Sequence, residues 1–158
     1  MSDPPDPPSP PPGSADGAAW SVRIVLPGED SAVRDTLLSL RGRLARGGCG
    51  PEMGARLELV LAEVLNNIVE HAYAGGRDGA ITLLLRGGGA SVWCLVEDHG
   101  RPLPRFPLPD PAAPDPAALP AGDLPEGGFG WALIRRLSRG LSYERVDGMN
   151  RLSFWVDP

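Results

Sequence analysis

From Leu57 to Tyr73 the apolar residues keep a helical rhythm. Leu57, Leu61, Val64, Leu65, Ile68 and Ala72 fall on one arc at about 100° per residue, with Val60 at its edge. The stretch is predicted to form an amphipathic helix with that arc against the core. Beside the arc, Glu63, Asn67 and His71 recur at every fourth position, which places them on one ridge of a regular helix. A carboxylate, an amide and an imidazole in a row at the edge of a core can act together on a bound ligand. The same row also describes a solvated helix flank.

The other elements follow from the same reading. Trp20 to Leu26 alternates as a strand does and is ended by Pro27-Gly28. Ser31 is placed to cap a helix running from about Ala32 to Ala45, with Val33, Leu37, Leu40 and Leu44 as its apolar stripe. Gly47 to Pro51 breaks the chain before the Leu57 helix, which is expected to start near Glu52. Gly75 to Gly79 ends that helix. Ala80–Arg86 and Ala90–Asp98 then read as two strands of a hairpin turning at Gly87-Gly88-Gly89. Both strands are almost continuously apolar, as central strands are. Gly100 to Gly128 is proline-rich, aperiodic and too long for an ordinary connection, which marks it as a candidate lid or binding loop. Phe129 to Arg139 is predicted to be a helix that buries Trp131, Leu133, Ile134 and Leu137. Leu141–Arg145 and Arg151–Val156 close the chain as a hairpin. Helices and hairpins are segregated, which points to an α+β fold: a two-layer sandwich of a mixed, mostly antiparallel sheet with helices on one face. Residues 1–19 have no apolar period and are rich in Pro, Ser, Asp and Gly, so a disordered, partly polyproline-like tail is expected before a folded domain at 20–158.

Composition narrows the classes. The chain has 158 residues, 42% of them apolar, enough for one domain with a real core. Its net charge of −5 argues against direct nucleic-acid binding, which ordinarily needs a basic face. All 15 basic residues are arginines. Cys49 and Cys94 are far apart and without neighbouring ligands, so neither a disulfide nor a zinc site is expected, and a reducing cytoplasm fits. No apolar run approaches a membrane span, and the start lacks the features of a signal peptide. A cytoplasmic protein without membrane contact is expected.

Two further segments carry chemistry. Asp98 ends an apolar strand and Gly100 follows two residues later. A carboxylate there can accept a hydrogen bond from an exocyclic amine, while the glycine lets a flat ring approach the backbone. Gly127, Gly128 and Gly130 lead into the last helix, where free N–H groups and the helix dipole suit a phosphate. A proline-rich loop rather than a strand precedes them, so they do not form a Rossmann turn.

The segments AEVLNNIVEHAY, VEDHGRPLP and GGFGWALIRRL, in that order, resemble the N box and the two glycine boxes of the GHKL ATPases. This is the superfamily of gyrase, the Hsp90 chaperone, histidine kinases and MutL. The closing stretch LSYERVDGMNRLSFW is similar to that family's last hairpin, and the resemblance extends over about residues 20–156. It lies closest to the anti-sigma-factor and serine-protein-kinase branch. The resemblance implies ATP and Mg²⁺ as cofactors. Asn67 would ligate the Mg²⁺, Asp98 would bind the adenine amino group and Gly100 would pack against the base. Gly127, Gly128 and Gly130 would form the phosphate-binding end of a lid over about residues 100–128. Glu63 would be the general base, and His71 would either face the phosphates or be structural. Pro102 stands where many members carry a further glycine. No dimerisation helix with a phosphoacceptor histidine precedes the domain, so a sensor histidine kinase is not expected. The implied function is a kinase that phosphorylates a serine of a STAS-domain anti-anti-sigma protein and sequesters a sigma factor or other regulator. The alternative is a nucleotide-dependent binding module without turnover. A homodimer is compatible with either.

Overall fold

The most continuously buried strand of this chain lies in the middle of the sheet. In this computed structural model the described residues are 20–76, 78–103 and 129–158. They form, in chain order, β1 (Trp20–Pro27), α1 (Asp30–Arg46), α2 (Pro51–Asn67), β2 (Ala80–Gly87), β3 (Val92–Asp98), α3 (Phe129–Leu137), β4 (Ser138–Val146) and β5 (Met149–Val156). The sheet has five strands in the order β1-β2-β3-β5-β4, and every pairing is antiparallel. The expected tail at 1–19, most of the expected lid, and Gly127 and Gly128 lie outside the described residues.

Alternation along the strands sends Ile81, Leu83 and Leu85 of β2, Val92, Cys94 and Val96 of β3, and Leu152, Phe154 and Val156 of β5 into one core with the helices. From α2 that core receives Leu57, Val60, Leu61, Val64 and Leu65, none more than 1% exposed. The predicted apolar arc is therefore the buried face, with Val60 well inside it rather than at its edge. Cys94 is fully buried, which pushes its thiol pKa up by desolvation.

Several element boundaries differ from expectation. α1 starts at Asp30 with Glu29 as its N-cap and no side-chain capping bond, so Ser31 does not cap it. β3 starts at Val92 and not at Ala90. α3 ends at Leu137, and Ser138, whose hydroxyl donates back to the Ile134 carbonyl, already belongs to β4. Of the predicted buried face of α3 only Ile134 is fully enclosed; Trp131, Leu133 and Leu137 are partly exposed.

The largest departure lies in the opening helix. Regular α geometry ends at Asn67, and Ile68–Ala72 is a π turn closed by Tyr73 N–H donating to the Ile68 carbonyl at 3.1 Å. An i→i+5 closure turns each residue through a smaller angle. His71 lies within this π turn and is exposed, whereas Asn67 at the end of the regular helix is buried.

Tyr73 fixes this turn to the sheet. Its hydroxyl donates to the Ala80 carbonyl at 2.9 Å and accepts from His99 N–H at 3.2 Å. Its ring lies between Gly28 and Gly79, where a methyl group would come within 2.3 Å and 2.2 Å of ring carbons. Only glycine leaves room for the ring. Gly79→Ala is expected to destabilise the fold by about 1–3 kcal/mol through overpacking. Gly54→Ala is expected to stabilise it by about 0.5–1 kcal/mol, because glycine is a poor helix former. Its added methyl meets nothing within 4 Å. Urea unfolding midpoints of the two variants should move in opposite directions.

Candidate functional site

Asp98 is the last residue of β3, faces the helices and is 3% exposed. A buried carboxylate must be hydrogen-bonded to be tolerated. Its Oδ1 accepts from Gly100 N–H and from the Asn150 side-chain amide, both at 2.8 Å. Desolvation nonetheless raises its pKa, against the opposing pull of Asn150, Gly100, Arg145 and His99. Both bonds from the described residues fall on Oδ1, so Oδ2 is left to accept from a ligand.

Asn150 faces Asp98 because the two are paired across β3 and β5. The Asn150 amide also donates to the Arg101 carbonyl at 3.0 Å, and its oxygen accepts from the Tyr143 hydroxyl at 2.7 Å and from Arg145. Arg145 donates to the Gly100 carbonyl at 3.0 Å, and Leu103 N–H donates to Tyr143 at 3.2 Å. The β4–β5 hairpin thus holds the segment leaving Asp98 along its length. None of Tyr143, Arg145 or Asn150 stands out in the sequence as a site residue. Asn150 has one available signal: it is a polar side chain on the core-facing register of a strand whose other inward residues are Leu152, Phe154 and Val156.

From the other side, the end of α2 meets the same segment. Arg101 N–H donates to the Ala72 carbonyl at 2.9 Å. A methyl on Gly100 would lie 2.5 Å from the Ala72 side chain and 2.6 Å from its carbonyl oxygen. Gly100 is therefore required for this backbone approach in addition to any role beneath a flat ring.

Glu63 and Asn67 occupy successive turns of α2, and α3 begins against them. A methyl on Gly130 would lie 2.5 Å from Glu63 Oε2 and 3.7 Å from the Asn67 amide nitrogen. Asn67 is 9% exposed, yet its Nδ2 has no hydrogen-bond partner. Such an orphan donor in a folded protein calls for an acceptor, a water or an anionic ligand. Its N–H donor is uncommitted, as that of a phosphate-binding group would be, and a metal would be held through the amide oxygen. Among the described residues no group of three His, Cys, Asp or Glu side chains gathers into an all-protein metal cage. Mg²⁺ is ordinarily held by one or two protein oxygens together with phosphates, so the residues present fit a magnesium-nucleotide.

The structure thus brings Glu63, Asn67 and Gly130 together, and Asp98 together with Gly100, the two groups joined through the π turn and Ala72. His71 lies exposed on the π turn between them. A separate cleft of 210 Å³ at the opposite end of the sheet is lined by Trp20, Cys49, Met53 and Val92 among others, and has no charged residue in its wall.

Comparison with known proteins agrees with this layout. Over 97 residues the chain is 38% identical to the serine/threonine-protein kinase BtrW of Bordetella bronchiseptica, a match covering 61% of this chain and 66% of that protein. The fold is similar to the crystal structure of the RsbU and RsbW domains of Rv1364c from Mycobacterium tuberculosis, with a TM-score of 0.57 and 20% identity. That similarity covers 87% of this chain and 32% of the mycobacterial one. Residues 26–155 match the family model of the histidine kinase-like ATPase domain. With the Asn67 and Asp98 ends of the site joined on one α+β scaffold, the chain belongs to the histidine kinase-like ATPase family.

Proposed function

We propose that the chain is an ATP-dependent protein-serine kinase of the anti-sigma type. Its substrate would be a serine on a small STAS-domain antagonist, and it would hold a sigma factor or another regulator in its alternate state. The observation that carries this reading is Glu63 beside a buried Asn67 whose Nδ2 has no partner, both against the start of α3 at Gly130. The kinase BtrW, similar over part of the chain, supports it.

Asp98 would accept a hydrogen bond from the adenine amine through Oδ2, its other oxygen being held by Asn150 and Gly100. Asn67 would hold the metal, with Gly127, Gly128 and Gly130 providing backbone donors for the phosphates. Bound Mg-ATP would supply the electrophilic phosphorus and the charge neutralisation that phosphoryl transfer needs. Glu63 would take the proton of the serine hydroxyl as its oxygen attacks, while ADP leaves. A half-buried carboxylate beside the phosphate-binding end suffices, because such transfer relies on positioning and electrostatics more than on covalent help. No helix among the described residues is long and apolar enough to cross a membrane.

With labelled Mg-ATP and the cognate antagonist, Glu63→Ala should lower serine phosphorylation by about 10²–10⁴-fold, the usual contribution of a general base. Its nucleotide affinity should stay within a few-fold of wild type. Transfer by the variant at the wild-type rate would contradict the assignment of Glu63. Nucleotide binding without transfer in the wild type would favour the alternative, a binding module without turnover.

Asp98→Asn separates stability from binding. The folded pKa of Asp98 is raised, so its protonated form favours the fold, and that contribution is lost as pH rises through the raised value. At neutral pH the asparagine variant should therefore unfold at the same or a higher temperature than wild type. It would present a donor or a neutral acceptor to the adenine amine. A charge-assisted bond is worth about 1.5–3 kcal/mol, so ATP affinity should fall by about 10–100-fold. Equilibrium binding and thermal melts of the same samples check both parts.

A further inference from the structure

The β4–β5 hairpin turns through Asp147 and Gly148, both at positive φ, 50° and 81°. Two such residues make the tight turn that suits the twist of antiparallel strands, and the turn fixes the register behind it. Arg145 is thereby set opposite Asn150, and Asn150 in turn opposite Asp98 of β3. A guanidinium, an amide and a buried carboxylate stand in one cross-strand row.

The row works through the orientation of the amide. A primary amide offers two N–H groups and an oxygen that can accept twice. Asn150 uses all four. Its Nδ2 donates to Asp98 Oδ1 at 2.8 Å and to the Arg101 carbonyl at 3.0 Å. Its Oδ1 accepts from the Tyr143 hydroxyl at 2.7 Å and from Arg145 Nη1. The same Nη1 donates to the Gly100 carbonyl at 3.0 Å. A hydroxyl donates or accepts as required, so Tyr143 is indifferent to which end of the amide it meets. A guanidinium only donates and keeps its proton. Arg145 therefore holds the amide oxygen toward itself and the amide N–H toward Asp98.

That orientation bears on the proton of Asp98. Hydrogen bonds donated to a carboxyl favour its ionised form, and a positive charge one amide away favours it further. Burial acts in the opposite direction and raises the pKa of Asp98, while Asn150, Gly100, Arg145 and His99 pull it down. With the amide reversed, its oxygen would face Asp98 and be satisfied only by a protonated carboxyl. The other titratable groups facing Asp98 among the described residues are Tyr73 and His99. Burial keeps the Tyr73 hydroxyl protonated, and the His99 side chain is exposed. An ionised Oδ2 accepts from an exocyclic amine and repels a carbonyl oxygen, whereas a protonated one donates to a carbonyl.

We propose that Arg145 is a positioning residue for base recognition. Acting through Asn150, it keeps Asp98 an acceptor and so selects a ring that carries an amine over one that carries a carbonyl. The inference rests on the reading of Asp98 as the adenine-binding residue and adds to it the group that sets its selectivity.

The test uses the full-length protein and Arg145→Met, which keeps an apolar stem and removes the donor and the charge, with Arg145→Lys as the conservative variant. Arg145 is exposed, so neither change opens the core. The Asp98 carboxyl carbon is first titrated by NMR without nucleotide, Asp98→Asn assigning its signal. The midpoint should move upward in Arg145→Met and return toward wild type in Arg145→Lys. Affinities for Mg-ATP and Mg-ITP are then measured from mildly acid to mildly alkaline pH, since inosine carries a carbonyl where adenine carries the amine. The preference for ATP should fall by about tenfold in the methionine variant, as for neighbours coupled in one network. The fall should be largest at the acid end, where the raised midpoint leaves more Asp98 protonated, and lysine should restore the preference. An unchanged midpoint, or equal weakening of both nucleotides at every pH, overturns the proposal and leaves Arg145 a structural brace. Absence of ATP binding by the wild type sinks the nucleotide reading and the selectivity together, whereas ATP binding with an unchanged ratio in Arg145→Met sinks the proposal alone.

Discussion

A carboxylate buried at the end of a central strand sets the terms for the rest of the site. Leaving such a group unbonded costs several kcal/mol, so Asp98 can ionise there only if donors are built around it. Two are: the Asn150 amide and the Gly100 N–H, both on one oxygen. That arrangement requires the β3–β5 register to be right to the residue, because a slip by one would turn Asp98 to the other face. It also requires the chain to turn at once after Asp98, which the contact of Gly100 with Ala72 fixes from the helix side. The register of the sheet and the position of the second helix are thereby coupled through one side chain.

That coupling explains the division of the site. Glu63 and Asn67 sit on the last regular turns of α2, where the helix is rigid and backed by Val64 and Leu65. Beyond them the π turn widens the helix, and Tyr73, held between Gly28 and Gly79, fastens its end to the sheet. The end that carries Glu63 and Asn67 and the end with the buried carboxylate are therefore held by separate devices at a set spacing. Arg145, Tyr143 and Asn150 restrain the segment that leaves Asp98. This leaves the β4–β5 hairpin structural in origin but decisive for how the carboxylate is presented.

Much of this was legible in the sequence, for identifiable reasons. Leu57, Leu61, Val64 and Leu65 keep a helical period, and ITLLL and VWCLV are too apolar for anything but central strands, so the layers and element order follow. Asp98-x-Gly100 is read from adjacent residues alone. Asn150 was not legible as a site residue, because its role exists only through cross-strand pairing with Asp98, which no local pattern encodes. The π turn leaves no local signature either, so the regular helix predicted through His71 ends at Asn67. The expected cap at Ser31 fails because the helix begins two residues before Ala32, at Asp30, with Glu29 in the cap position. Gly28 and Gly79 read as ordinary turn glycines until the Tyr73 ring is found between them.

The central claim is that the free oxygen of Asp98 accepts from an adenine amine while Asn67 serves the metal. Calorimetric titration of the wild-type chain with Mg-ATP and, separately, Mg-GTP tests it most directly, since guanine carries a carbonyl where adenine carries the amine. The account predicts one ATP bound per chain, with GTP at least about a hundredfold weaker, as expected when a site built for an N–H meets an analogue lacking it. No heat of binding with ATP, or equal affinity for both nucleotides, would contradict it.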